Sequence, residues 1–436
     1  MYLASYLEKH VLTSFVLQQV WDEMRLNFAF PTERVKEGKV SILVPKLKAF
    51  VKEAWEYAPS KAPVFYNPAM ELNRDLAVLA LQAYQRMTKR ELSVCEPLTG
   101  CGIRGIRFTV EVEGIHRVVV NDINTDATRL TEFNIKLNNA LERVAVANDD
   151  ANLLLSKHAV PQKRFDYIDV DPFGSPAPYL DSAVRALRKG GLLALTATDM
   201  APLCGVHWKA CVRKYGGKPL RTEYCHELAV RLLIGCLTMT AAKHDIGIHV
   251  TFSYSAYNHV RTYALMDYGA KHADNSVQMM GYVLHCFECF HREPTKGIIP
   301  PMKQECPECG SKLSSAGPLW LGELWDKDFC IQMQRELESR NLSLREKIFK
   351  MLSLVSEESK APATYYVVDK ICDRFNLPIP PLSKVIGEIR RIGFQAIATH
   401  FNTKAVRTNA PAKVVKEVIT RLSVSGKRTN NLSKTI

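Results

Sequence analysis

The chain has 436 residues, which suits two or three domains, and its 47% hydrophobic and 24% charged residues are ordinary for a globular protein. These values exclude wholesale disorder, and no apolar run approaches the ~18 residues of a membrane span. The N-terminus lacks the basic start of a secretion signal, so we expect a cytoplasmic protein without a membrane partner. The net charge of +13 is concentrated in residues 381–436, where eleven Lys and Arg accompany two Glu. Such clustering indicates a nucleic-acid partner, with a solvated basic surface as the alternative.

Strands and helices alternate along the first two-thirds of the chain. Residues 1–33 predict an amphipathic helix without a motif, which we assign as an N-terminal extension. A helical pattern at 182–191 ends at two glycines, and a long helix is predicted over 222–244. Apolar runs predict strands at 40–46, 92–97, 117–123, 143–149, 165–171, 192–199 and, on either side of a short polar turn, 247–256 and 261–269.

The order of these elements predicts an α/β fold. Apolar strands that alternate with helices form a parallel sheet covered on both faces. Five such steps followed by an antiparallel hairpin is the order of S-adenosylmethionine-dependent methyltransferases, whereas a nicotinamide dehydrogenase would continue with parallel strands. We therefore predict a Rossmann-like class I methyltransferase domain at 34–275. The different pattern beyond it predicts a smaller C-terminal α+β domain at 276–436 that binds RNA.

A glycine-rich turn follows the strand at 92–97. Gly100, Gly102 and Gly105 fit the pattern GxGxxG between a strand and a helix, where glycines allow a tight turn and a close approach of the backbone to a ligand. This pattern alone serves dinucleotides and S-adenosylmethionine equally, and a turn without a ligand is the alternative. The turn becomes informative through the residues that follow the next strands.

Ligand-type residues follow the second and third of these strands. Asp122 comes 22 positions after Gly100, where a carboxylate can accept hydrogen bonds from two ribose hydroxyls. Asp150 and Ala151 follow the next strand, at the corner that meets adenine in methyltransferases. Because the carboxyl ends of parallel strands lie at one edge of the sheet, these residues should form one cofactor site with the glycine-rich turn.

The tetrapeptide Asp171-Pro172-Phe173-Gly174 ends the fourth strand of the series. It resembles the motif of enzymes that methylate exocyclic amino groups of nucleobases. A carboxylate and a backbone carbonyl can accept both N–H bonds of such an amine, and Asp171 can take the proton as the nitrogen attacks a methyl sulfonium. Phe173 can stack on the base. The alternative is an ordinary turn at the end of a strand, which Asp-Pro often makes.

Two arginines are candidates for binding the carboxylate of the methionine moiety. Arg74 lies on a helix predicted from about Pro68 to Met87, and Arg104 lies inside the glycine-rich turn. A surface or capping arginine is the alternative for each. That alternative is weaker for Arg104, because its turn faces the ligand.

Four of the twelve cysteines have the spacing C-x2-C-x16-C-x2-C, which predicts a structural zinc site formed by Cys286, Cys289, Cys306 and Cys309. A redox dithiol is the alternative. The other eight show no metal-ligand pairing, and we expect buried free thiols. In the C-terminal domain, Arg390, Arg391, His400, Lys404 and Arg407 are the candidates for binding RNA.

The segments EPLTGCGIRG, VFYNPAMELNRD, DVDPFGSP, ATDMAPLCG and THFNTKAVRTNAP together closely resemble the tRNA (guanine-26, N2) dimethyltransferase family, archaeal-type members included, over most of the chain. The resemblance implies S-adenosylmethionine as donor, the N2 amine of a tRNA guanine as acceptor, and mono- and dimethylated products. It implies no obligatory protein partner. Two alternatives remain open: an RNA methyltransferase for a different guanine or adenine, and a zinc-containing RNA-binding protein with an inactive Rossmann domain.

Overall fold

The structure, a computed structural model, describes residues 28–51, 53, 58–359 and 361–432. The helix predicted over residues 1–33 lies mostly outside this part of the chain. Its last residues instead begin β1 (Thr32–Glu37), which forms an antiparallel hairpin with β2 (Val40–Pro45). Phe30, just before β1, is buried in the main hydrophobic core.

A seven-stranded mixed sheet forms the centre of the molecule. Its strands are β3 (Leu92–Glu96), β4 (Ile115–Asn121), β5 (Val144–Ala147), β6 (Phe165–Val170), β7 (Leu187–Ala197), β8 (Ile246–Ala256) and β9 (His259–Tyr268). Their spatial order is β5-β4-β3-β6-β7-β9-β8, and β9 is antiparallel to both its neighbours. The predicted five parallel strands and terminal hairpin are confirmed. Strand order reverses between β3 and β6, where open α/β sheets bind their ligands.

Helices cover the two faces of this sheet. One prediction was wrong, because the helix expected through residues 182–191 ends at Ala186. Leu187 already pairs with Phe165 of β6, so its buried side chain belongs to the sheet. The helices are α1 (Glu71–Thr88), α2 (Ile103–Glu111), α3 (Thr125–Leu137), α4 (Ala151–Lys157), α5 (Leu180–Ala186), α6 (Met200–Leu203), α7 (Trp208–Tyr215), α8 (Cys225–Ala242) and α9 (Ala270–Gln278).

Within the described part of the chain, α8 is the one helix long and apolar enough to cross a membrane, and 67% of it is buried inside the protein. It packs in the core, against β8 and the C-terminal part of the chain.

The C-terminal part contains two small antiparallel sheets with helices around them. Their elements are β10 (Met280–His285), β11 (Arg292–Lys296), β12 (Ser314–Trp320), α10 (Lys327–Glu338), α11 (Arg345–Glu358), β13 (Tyr366–Val367), α12 (Val368–Phe375), α13 (Leu382–Arg391), β14 (Ala396–Thr399), β15 (Asn402–Thr408) and α14 (Ala412–Leu432). The boundary predicted after residue 275 falls inside α9, and the main core continues across it as far as Ala405.

Candidate active site

The glycine-rich turn has the geometry that the sequence predicts. Gly100 has φ +57° and Gly102 has φ +79°, in the left-handed region that favours glycine. A Cβ on Gly100 would lie 2.9 Å from the carbonyl oxygen of Phe65, and one on Gly102 would lie 2.6 Å from Thr131. The turn therefore has no room for a side chain at either of these two positions.

Asp122 is held beside this turn by two backbone amides. The Gly100 N–H donates to Oδ2 of Asp122 at 2.8 Å, and the Asn124 N–H donates to Oδ1 at 3.0 Å. Asn121, a residue without a motif signal in the sequence, joins the neighbouring loops. Its Nδ2 donates to the carbonyl oxygens of Pro97 (2.9 Å) and Asp149 (3.0 Å). Loops from three successive strands are thus fixed at one edge.

Asp150 lies at the same edge as the N-cap of α4. Its Oδ1 accepts from the Leu153 N–H at 3.0 Å, and the residue is exposed, whereas Ala151 is buried. The cap leaves the second carboxylate oxygen available to a ligand. Asp122, Asp150 and Ala151 are therefore brought together as the sequence predicts.

Arg104 and Asp171 are in direct contact. The buried Arg104 donates to Oδ2 of Asp171, and also to Oδ1 of Asn73 at 2.8 Å. Asn73 Nδ2 is buried without a hydrogen-bond partner. This orphaned donor beside a guanidinium fits a ligand carboxylate. The predicted carboxylate-binding arginine and the predicted proton acceptor thus lie against each other, where the strand order reverses between β3 and β6.

A second buried arginine lies behind this pair. Arg261 donates to Asp169 Oδ2 and to Thr196 Oγ1, both at 2.5 Å, and Asp169 lies 3.6 Å from Arg104. Burial alone would raise the pKa of Asp169, but the two guanidinium groups hold it below its ordinary value. Positive and negative groups therefore alternate from β9 to the candidate site and fix the orientation of Arg104.

Arg74 has a full set of partners inside the protein. Its Nε and NH2 donate to the two oxygens of Glu37 at 2.6 and 2.5 Å, and its NH1 donates to the Asn67 carbonyl oxygen at 3.1 Å. Cofactor binding by Arg74 stays a prediction, and it requires the ion pair with Glu37 to open.

Glu96 at the end of β3 provides a pH-dependent prediction. Burial raises its pKa to about 8, although Arg104 opposes the shift. Because this value exceeds the ordinary 4.5, the folded state holds more protons than the unfolded state between about pH 4.5 and 8. The free energy of unfolding should therefore fall as pH rises through this window, by up to about 1.4 kcal/mol per pH unit.

Glu96→Gln should remove this decrease in the free energy of unfolding when denaturant unfolding is measured from pH 5 to 8.5. Parallel curves for variant and wild type would contradict it.

Two aromatic rings lie over the Asp171 turn. Phe173 is 67% exposed, and its ring centroid lies 4.3 Å from that of Phe65 in an edge-on arrangement. Pro172 is buried. The turn is fixed to the end of β7, since the Gly174 N–H donates to Thr198 Oγ1 at 2.8 Å. Phe65 precedes the sheet in the chain, and its proximity to Phe173 could not be found from spacing.

The four cysteines with zinc-ligand spacing converge beyond β10. Their Sγ atoms all lie within 4.8 Å of one another, and the pairs Cys286–Cys309 and Cys289–Cys306 are 3.5 Å apart. Four thiolates at about 2.3 Å from a tetrahedral zinc ion would be about 3.8 Å apart, so the set fits zinc.

A second group of metal-binding residue types was missed. Cys204, Cys225 and His226 place one ligand atom each within 4.8 Å of one another. The two thiols are scattered in the sequence, and neither has a partner at metal-ligand spacing along the chain. The fold brings together the residue that follows α6 and the first residues of α8.

Two of the predicted RNA-binding residues are buried, which corrects their assignment. Arg407 is 1% exposed and pairs with Glu227 and Glu358, each at 2.9 Å. The His400 side chain, also 1% exposed, lies with Nδ1 2.8 Å from the same Glu358. Charges on β15 and at the β14–β15 turn therefore connect this small sheet to α8 and to α11, and neither side chain can reach a phosphate.

The other three candidates are exposed. Lys404 pairs with Asp369, and Arg391 pairs with Glu388 at 2.7 Å. Arg390 donates to the carbonyl oxygen of Ala396 at 2.6 Å. RNA binding by these three residues remains a prediction. Each of them already has a hydrogen-bond or ion-pair partner within the protein.

Comparisons with known proteins agree with this geometry. The sequence model of the family described as N2,N2-dimethylguanosine tRNA methyltransferase matches residues 38–420. A tRNA (guanine(26)-N(2))-dimethyltransferase from Methanobrevibacter smithii is 41% identical over 396 residues, covering 91% of this chain and 99% of that protein. A tRNA (guanine(26)-N(2)/guanine(27)-N(2))-dimethyltransferase from Aquifex aeolicus is 36% identical, covering 86% and 93%. The solved complex of Trm1 from Pyrococcus horikoshii with S-adenosyl-L-methionine matches with a TM-score of 0.78 and 34% identity, covering 89% of this chain and 100% of that one.

Proposed function

The chain belongs to the N2,N2-dimethylguanosine tRNA methyltransferase family, and from this premise we propose how its residues transfer methyl groups from S-adenosylmethionine to N2 of a tRNA guanine, at position 26. The observation that carries the proposal is the contact between Arg104 and Asp171, which joins a cofactor-side cation to an acceptor-side carboxylate at the reversal of strand order.

Asp171 and the Pro172 carbonyl oxygen are proposed to accept the two N–H bonds of the guanine amine. The lone pair of an aryl amine is delocalised into the ring, so these acceptors restore its nucleophilicity. Asp171 takes the proton as the new N–C bond forms, and general-base assistance of this kind contributes about 10²–10⁴-fold to rate. A second proton remains after the first transfer, which allows the dimethyl product.

Phe65 and Phe173 are proposed to bind the faces of the guanine. Their edge-on contact leaves no space for a base between them, so Phe173 must rotate to admit one. Its 67% exposure means that this rotation breaks little packing. Stacking on aromatic side chains stabilises an unpaired base by about 1–3 kcal/mol.

S-adenosylmethionine supplies an electrophilic methyl group. We propose that Arg104 and Asn73 bind its carboxylate, with Arg74 as a further candidate that must first leave Glu37. Asp122 is proposed to bind the ribose. The turn around Gly100 and Gly102 gives the cofactor access to the backbone, and Asp150 and Ala151 border the adenine.

We infer that the four-cysteine site binds structural zinc within a C-terminal tRNA-binding domain. No group around these thiolates takes part in the proposed transfer, so the metal acts by connecting the loops after β10 and before β12. The enzyme is proposed to act in the cytoplasm, with tRNA as the required macromolecular partner.

If the four cysteines bind structural zinc, removing one thiolate should release the metal without directly affecting the methyl-transfer step. Cys289→Ser should lower the zinc content by one equivalent per chain in metal analysis, because three thiolates hold zinc less well than four. Cys236→Ser, which changes a thiol of α8 outside the cluster, should keep the wild-type content. Equal zinc in both variants would contradict the assignment.

The proposed function is tested by methyl transfer to unmodified tRNA transcripts with the product nucleoside mapped by position. We expect N2-methylguanosine and then N2,N2-dimethylguanosine at position 26. A transcript with inosine there, which lacks the N2 amine, should accept no methyl group at that position. Transfer to the inosine transcript at the wild-type rate would exclude N2 of this base as the acceptor.

A further inference from the structure

The segment 206–221 presents a basic and aromatic surface on the catalytic domain. It contains five Lys and Arg and no Asp or Glu. Three of its large apolar side chains are exposed: Val206 by 52%, Trp208 by 47% and Val212 by 40%. Exposed apolar side chains that form one patch with a polar rim mark an interaction site, whereas singly scattered ones do not.

The surface follows from the helical period of α7. Cys211 and Tyr215, four residues apart, are buried and attach the helix to the core. Trp208 and Val212 form one exposed row, and Lys209 and Arg213 form the adjacent row. An apolar row and a cationic row therefore lie side by side, with the Lys209 ammonium 5.8 Å from the Trp208 ring centroid. A cleft of about 390 Å³ opens along these residues.

This surface is anchored next to the base pocket. The Val206 and His207 amides donate to the Ala201 carbonyl oxygen at 2.9 and 3.2 Å, which fixes the Trp208 end of the helix. At the other end, the Tyr215 hydroxyl donates to Asp199 at 2.5 Å. Asp199 directly follows Thr198, the residue hydrogen-bonded to Gly174 in the proposed catalytic turn. The helix spans only about 12 Å, so both rows remain near Phe173.

Two cations of this surface, Lys209 and Arg213, differ in their surroundings from predicted RNA-binding cations of the C-terminal domain. Lys209 and Arg213 have no acidic partner among the described residues, and the Asp199 carboxylate beside the helix is paired with Lys214 at 2.9 Å. In the C-terminal domain, Arg407 is buried between two glutamates and Arg391 is paired with Glu388. Lys209 and Arg213 are therefore available to bind RNA phosphates next to the proposed catalytic turn.

We propose that Trp208, Lys209 and Arg213 form an RNA-binding surface that holds the tRNA strand flanking the methylated guanine. An unpaired or partly unstacked base packs on the Trp208 ring, and the two cations contact the adjoining phosphates. This inference rests on the proposed function, and it assigns part of tRNA binding to the catalytic domain.

The experiment compares tRNA binding by three variants over a range of salt concentrations. Trp208→Ala should weaken binding roughly 5- to 150-fold, whereas Trp208→Tyr should retain most affinity, because stacking needs a ring. The double variant Lys209→Gln, Arg213→Gln should lower the slope of log affinity against log salt by about 1.4 to 1.8. In methyl transfer, KM for tRNA should rise more than kcat falls.

A matched control removes two charges from the opposite edge of the sheet. Lys89 follows α1 and Arg117 lies early in β4, and both are exposed. Lys89→Gln, Arg117→Gln should keep wild-type affinity and salt slope. All variants should bind S-adenosylmethionine equally and melt within a few degrees of wild type.

Wild-type affinity and slope in both the Trp208→Ala and the Lys209, Arg213 variants would overturn the proposal and place this surface against a protein or in solvent. The proposed function would survive that result, since wild-type protein would still methylate tRNA. A wild-type protein that neither binds nor methylates tRNA would instead overturn the proposed function.

Discussion

Asp171→Asn should lower single-turnover methyl transfer to unmodified tRNA by about 10²–10⁴-fold, because an amide cannot take the proton that the guanine amine must lose. Affinity for S-adenosylmethionine should stay at the wild-type value or increase slightly. The reason is that Arg104, which donates to Asp171 in this structure, becomes free for the cofactor carboxylate.

Two measurements separate this outcome from a general loss of structure. Calorimetric titration with S-adenosylmethionine reports whether the cofactor site is intact. Asp181→Asn changes an exposed acid on α5 that pairs with Arg185, and it should leave transfer unchanged. Wild-type turnover in Asp171→Asn would show that Asp171 is not the proton acceptor, and abolished cofactor binding would contradict the expected intact cofactor site.

Arg407→Gln should destabilise the protein by about 3–5 kcal/mol, because the change removes the cation that two buried carboxylates share. Glu227 accepts hydrogen bonds from Arg407 at 2.9 and 3.1 Å, and Glu358 accepts one at 2.9 Å. Burial would raise the pKa of Glu227, but Arg407 and Arg231 lower it to about 2, so this carboxylate stays charged in the folded protein.

Denaturant unfolding measures this effect, and a neighbouring lysine provides the control. Lys404→Gln alters an exposed residue of the same strand and should change stability by less than about 0.5 kcal/mol. If Arg407→Gln instead unfolds like wild type and loses affinity for tRNA, then Arg407 contacts RNA and its burial in the free enzyme is transient.

The position of the candidate site at one edge of the sheet could be predicted from sequence because its determinants are local. Asp122 and Asp171 each come directly after an apolar strand, and parallel strands bring such residues to one edge whatever the rest of the chain does. The four zinc-site cysteines are equally local, since each pair is held by one short turn.

The environment of Arg407 could not be predicted in this way. Its partner Glu227 lies 180 positions earlier, and a cation in a basic segment has the same sequence pattern whether it contacts phosphate or a buried carboxylate. Phe65 and the Cys204–Cys225 pair present the same difficulty. Only the packing of distant segments brings these side chains to their partners.

The buried ions around Arg407 also determine which molecule must deform when enzyme and tRNA meet. Rotating the C-terminal domain about α8 would separate the Arg407 guanidinium from the Glu227 carboxylate on α8, which is costly because both groups are buried. We therefore expect the C-terminal domain and the catalytic domain to keep a fixed relative orientation. The distance between the base pocket and the C-terminal surface should then stay constant when tRNA binds. We expect the tRNA to adapt its shape to this distance, so that only a guanine at the matching position along the tRNA reaches Asp171.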